Sequence, residues 1–75
     1  MTFVSKSVLK ALRERFVEGT RVRLEKTNDI QAPPMYTCGT VIGVDDAGSI
    51  MVRWDNGSRL SVVYGEDVVS IIDNG

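Results

Sequence analysis

The chain has 75 residues, one cysteine, no histidine and a formal net charge of −1. That length is read as one domain, and it buries only about 60% of the surface its unfolded form exposes, for a net stability of roughly 3–5 kcal/mol. One cysteine makes no internal disulfide, and structural zinc needs more Cys or His ligands than the chain has, so apolar packing and backbone hydrogen bonds must carry the fold.

Lys6, Lys10, Arg13 and Arg15 interrupt every apolar run near the start, which is unlike a signal peptide. No segment approaches the ~20 apolar residues of a membrane helix. With a lone free Cys, this predicts a cytoplasmic protein with no membrane contact. The charge is unevenly spread. Residues 1–28 carry seven Lys/Arg against three Glu, and residues 29–75 carry two Arg against seven Asp/Glu. Either the two halves neutralise each other in the fold, or the basic half meets nucleic acid.

Residues 5–16, SKSVLKALRERF, predict a helix with Ser5 or Ser7 as N-cap. Val4, Val8, Leu9, Ala11, Leu12 and Phe16 share one broad sector, with Lys6, Lys10 and Arg13 opposite. Gly19 is the expected terminator. From Thr20 the period becomes two, and residues 20–26 alternate Val22 and Leu24 with Arg21, Arg23 and Glu25, as a half-buried strand does. Residues 27–37 lack periodicity and contain Pro33-Pro34, so they form a loop. Further strands are expected at 38–44, 49–54, 58–63 and 68–72, with a short turn at Tyr64–Asp67.

Turn chemistry sets the register. A two-residue Asn56-Gly57 turn would mix apolar and polar residues on each face, whereas a three-residue loop with Gly57 in the left-handed region pairs Val52 with Leu60 and Ile50 with Val62. In the preceding hairpin, Asp45–Gly48 is taken as the loop, which pairs Val44 with Ser49, Gly43 with Ile50, Val41 with Val52 and Gly39 with Trp54. The inner set is then Val22, Leu24, Val41, Ile50, Val52, Trp54, Leu60, Val62, Val69 and Ile71. Ile42, Val44, Met51 and Val63 face outward, and the helix is expected to cover that stripe, with a dimer or partner surface as the alternative. The expected fold is mostly β: a small five-stranded SH3-like barrel with one N-terminal α-helix.

The motifs LRERF-x-x-GTRV, QAPP, GTV-x-GVDDAG, WDNGSRL and YGED occur in that order over residues 12–68. In this the chain resembles an uncharacterised family of small domains, known only as a domain of unknown function, from phages, plasmids and conjugative elements, mostly of Gram-positive bacteria. Members usually read Asp-Pro where this chain has Asp29-Ile30, and Pro-Gly where it has Met35-Tyr36. The resemblance implies an SH3-like barrel and a mobile-element setting. It implies no activity and supplies no site residues.

Without histidine, the commonest general base is missing. Cys38 has no His to activate it and is read as a small buried residue. Ser49, Ser58 and Ser61 lack base partners, and Asp45-Asp46, Asp55 and Glu66-Asp67 sit in turns, where Asp bonds the local backbone. No catalytic residue, metal site or cofactor is expected. The expected function is therefore a non-enzymatic protein-interaction module, a mobile-element accessory or an inhibitor of a host factor, meeting an unidentified protein through Met35, Tyr36, Tyr64, Ile42 and Met51. The alternative is a weak nucleic-acid binder using Lys6, Lys10, Arg13, Arg21 and Arg23, with few aromatics (Phe3, Tyr36 and Tyr64) left over for base stacking. A homodimer is a third reading.

Overall fold

The computed structural model describes residues 4–72, so Phe3 lies outside the described residues. Helix α1 spans Lys6–Arg15, with the Ser5 hydroxyl accepting from Val8 N–H at 3.2 Å as N-cap. Arg13 and Arg15 occupy its last turn, where cations suit the helix dipole. The helix stops at Phe16. Gly19 lies in the following turn, at φ 92°, where its N–H donates to Val41 O.

Five strands follow: β1 Arg21–Lys26, β2 Cys38–Val44, β3 Ser49–Trp54, β4 Val62–Val63 and β5 Val68–Ile71. They form one antiparallel sheet in the order β4-β3-β2-β1-β5. The expected barrel is not closed. β4 and β5 are the two edges and are not paired with each other among the described residues; an isolated bridge, Tyr64 to Asp67, lies in the turn between them. The cause is local. Val63 O accepts from Glu66 N–H and Asp67 N–H, and Val63 N–H donates to Asp67 Oδ2 at 3.0 Å. The outward backbone groups of β4 at Val63 are thus spent within its own turn.

The expected strand at 58–63 shrinks to two residues for a related reason. Trp54 Nε1 donates to Leu60 O at 2.9 Å, so that carbonyl faces the indole instead of lengthening the ladder. The three-residue Asp55–Gly57 loop is as expected, with Gly57 at φ 94° and Ile50 opposite Val62.

The β2–β3 hairpin departs from expectation at one end. Gly39 pairs with Trp54 and Val41 with Val52, but Gly43 then faces Met51 and Val44 faces Ile50. A bulge at Ile42 inserts one extra residue into β2, and Val44 turns inward against the core. Gly39 is required where it stands: a Cβ there would lie 2.6 Å from Val52 Cγ1 and 3.0 Å from the Arg53 carbonyl oxygen.

The core holds Leu12, Phe16, Val22, Leu24, Val41, Ile50, Val52, Trp54 and Val62. Leu60 and Val69 of the expected inner set are only half-buried, and Ile71 is exposed. The helix does not cover the outer stripe. Leu12 and Phe16 join Ile50 and Val62 on the inner face, and Ile42 and Val63 remain exposed. An open sheet leaves its inner face wet, and the apolar sector of α1 is what fills it.

Candidate functional site

The loop between β1 and β2 is built from side chain–backbone bonds. Thr27 Oγ1 donates to Asp67 Oδ1 at 2.9 Å and accepts from Asp29 N–H. Asp29 Oδ1 accepts from Gln31 N–H at 2.8 Å, and Asp29 O from Ala32 N–H, which closes a turn with Ile30 at its tip. Ala32 and buried Pro33 then lie against Leu24, Trp54 and Leu60 and cover that end of the core. Met35 and Tyr36 do not share this capping role and face solvent.

Tyr36 sits at φ 69°, the one described non-glycine residue with positive φ. Thr37 N–H donates to Pro34 O, so Tyr36 holds the third position of a four-residue turn, a place where positive φ ordinarily selects glycine. For an L-residue with a Cβ this conformation costs roughly 1–2 kcal/mol. Two bonds to β1 hold it there: Tyr36 N–H to Leu24 O at 2.8 Å, and Leu24 N–H to Thr37 O at 3.0 Å. Tyr36 is 65% exposed, and the Arg23 guanidinium lies 5.9 Å from its ring centroid.

The outer sheet face continues from Arg23. Arg21 donates Nη1 to Asp55 Oδ1 at 2.8 Å and Nη2 to Asp55 Oδ2 at 2.7 Å, with Thr40 Oγ1 as a third acceptor. These bonds hold the Asp55 carboxyl below the usual carboxylate range. Glu25 Oε2 accepts from Ser70 Oγ at 2.6 Å and from Arg23 Nε at 2.8 Å, and its carboxyl is likewise lowered, by the Ser70 bond first and then by Arg23. Cys38 is half-buried opposite Arg23 rather than in the core.

The candidate residues fall into separate places. Met35 and Tyr36 share the turn beside Arg23. Ile42 and Met51 lie together on the outer face, Ile42 at the bulge and 42% exposed, Met51 half-buried opposite Gly43. Tyr64 lines a different cleft, with Val4, Val8 and Ala47. Of the cations, Arg13 bonds Asp46 at 2.7 Å and Val44 O, Lys10 lies 4.0 Å from Glu14, and Lys6 is exposed. The helix lies over the inner face and Arg21 and Arg23 are on the outer, so the five do not form one patch. Arg13–Asp46 and Arg21–Asp55 join the basic N-terminal part to the acidic remainder. Ile30 was not singled out by the sequence, yet it is 98% exposed. The Asp29-x-Gln31 turn chemistry was the signal that would have placed it at a tip.

These features define a small β-rich domain with one helix on the inner face of its sheet, and among the described residues no helix is long and apolar enough to cross a membrane. Over residues 5–72 the chain matches the family described as Domain of unknown function (DUF4314), and it belongs to that family. A search of curated proteins finds no match.

Proposed function

We propose that this chain is a non-enzymatic, SH3-like protein-interaction module that meets its partner through the loop tip and turn formed by Ile30, Met35 and Tyr36. The observation that carries the reading is Tyr36, a large aromatic at φ 69°, held exposed beside Arg23. Strain of this kind persists where the surroundings fix it, and it concentrates at binding sites. Aromatic residues, Met and Arg are the side chains enriched at protein interfaces. Ile30, Met35 and Tyr36 are also the positions at which the sequence departs from the Asp-Pro and Pro-Gly pattern of the resemblance, and each departure places an exposed apolar or aromatic side chain. The meander order of the sheet, with β1 pairing β5, supports the SH3-like reading. The setting, a mobile-element accessory or an inhibitor of a host factor, rests on the motif resemblance. The nucleic-acid alternative is weaker, because Arg13, Arg21 and Arg23 already hold carboxylates.

The test compares the wild-type chain with Tyr36→Gly in tagged recovery from host lysate, with nuclease and moderate salt present. Glycine relieves the left-handed strain, so Tyr36→Gly melts higher, by about 0.5–1 kcal/mol of stability after glycine's larger unfolded-state entropy. It should nonetheless lose a protein that wild type retains. Recovery that is equal for both variants, or that disappears with nuclease, defeats the reading.

A further inference from the structure

The two edges of the sheet are not equivalent. β4 is closed at Val63 by the Asp67 side chain and the turn that follows. β5 has no such closure. Ile72 N–H donates to Arg21 O at 2.9 Å, which fixes the parity of the antiparallel ladder: Ser70 and Ile72 turn their backbone groups toward β1, and Val69 and Ile71 turn theirs away. Among the described residues no hydrogen bond from another element reaches the backbone of Val69 or Ile71. Ile71 pairs with Val22, which is fully buried, yet Ile71 itself is 42% exposed. An inner-face position with an exposed side chain marks a row of the sheet that lacks its next strand.

Beside that edge runs a groove of 260 Å³ between β5, β4 and the end of α1, with Leu12, Phe16, Val62 and Val69 among its apolar walls. Its two charged walls, Arg15 and Asp67, differ in what they already hold. Arg15 lines it, stacked 5.3 Å from the centroid of Phe16, and among the described residues no carboxylate lies within 4.0 Å of it. Asp67, the one acid lining the groove, is engaged by the Thr27 hydroxyl and Val63 N–H.

We infer that β5 and this groove take an extended segment of a partner protein as a sixth strand, with alternate apolar residues facing Leu12 and Phe16 and an Asp or Glu against Arg15. Strand addition of this kind draws affinity from the main-chain bonds and specificity from pockets for alternate side chains. A second copy of this chain, pairing through β5 itself, fits less well, because Val-Val-Ser-Ile carries no acid within the strand. This surface lies apart from the Met35–Tyr36 turn and rests on the same reading that the domain binds protein.

The test pans the full chain against a displayed library of eight-residue peptides and synthesises those enriched. They should alternate apolar residues and carry Asp or Glu, and on binding they should slow amide exchange at Val69 and Ile71, which should be fast in the free chain. Val69→Pro removes the outward N–H together with a half-buried side chain packed on the core, and should cut affinity at least about tenfold. Arg15→Glu, on the exposed side of a helix end, should do the same without touching the strand, and Tyr36→Gly should leave peptide affinity unchanged. Peptides indifferent to both Val69→Pro and Arg15→Glu would overturn the inference. So would slow exchange at Val69 and Ile71 in the free chain, absence of any enriched sequence, or self-association abolished by Val69→Pro. If Tyr36→Gly alone abolishes peptide binding, the loop reading stands and the edge reading falls.

Discussion

The hairpin turns at Asp45–Gly48 and Asp55–Gly57 close in the same way and live in opposite surroundings. Each is completed by a glycine in the left-handed region, Gly48 at φ 85° and Gly57 at φ 94°, whose N–H bonds the carbonyl three residues back. Each also divides its polar residues between two tasks. In the first turn Asp45 Oδ1 accepts from Ala47 N–H and Ser49 N–H, and Asp46 reaches Arg13. In the second, Asn56 Oδ1 accepts from Ser58 N–H, and Asp55 takes Arg21. One residue shapes the turn and its neighbour ties the turn to the N-terminal part. The difference lies underneath. Gly48 is buried beneath Val4, just ahead of α1, whereas a Cβ on Gly57 would meet open space.

That difference is open to measurement. Gly48→Ala combines left-handed strain with a clash against Val4, and should cost about 2–4 kcal/mol, most of the stability expected of a chain this size. Gly57→Ala carries the conformational cost alone, about 1–2 kcal/mol in chemical denaturation. Equal costs would mean that the packing of Val4 over Gly48 contributes little. Val4→Ala in the Gly48→Ala background should recover part of the loss, and the Gly57→Ala background should show no such recovery.

The ion pairs sharpen the same comparison at lower amplitude. Arg21 grips Asp55 with two nitrogens, and Arg13 meets a largely exposed Asp46 with one. Because the native Asp55 carboxyl titrates below its unfolded value, its contribution is fully present above about pH 4 and fades as pH falls through the lowered native value. Asp55→Asn should therefore lower the melting temperature at pH 7 and flatten the acid limb below about pH 4. Some slope will remain, since Glu25 is lowered in the same direction. Asp46→Asn should shift the melting temperature less, because such exposed pairs are weak and Arg13 keeps Val44 O. A melting curve at 1 M salt that erases the Asp55 effect would assign it to charge rather than to bidentate geometry.

The same turns explain which parts of the fold were legible in the sequence. Asn56-Gly57 announces itself, and the alternation on either side rejects the two-residue alternative, so that register follows from local chemistry. Asp45–Gly48 misleads by one residue, because a shorter turn and the bulge at Ile42 compensate, and the register further along β2 at Val41 and Gly39 comes out the same either way. No local pattern distinguishes these. The open sheet was hidden for a different reason: it depends on Asp67 reaching back to Val63, a bond that competes with strand pairing and has no periodic signature. Helical periodicity identified the apolar sector of α1 but not the face it would cover. In the loop, Pro33-Pro34 marked irregular structure, yet nothing short of three dimensions separates Pro33, which is buried, from Tyr36, which is held in a glycine's conformation.

The Asp67 bond has one further consequence, for self-association. A free strand edge is a growth point, and a molecule with two of them can add neighbours at both ends without limit, as fibrils do. With Val63 already bonded within its own turn, edge-to-edge growth has one end to start from, and a single pairing would use it up. An aspartate that shapes a four-residue turn thereby also acts as a chain terminator, which predicts that Asp67→Ala will show itself first as concentration-dependent turbidity.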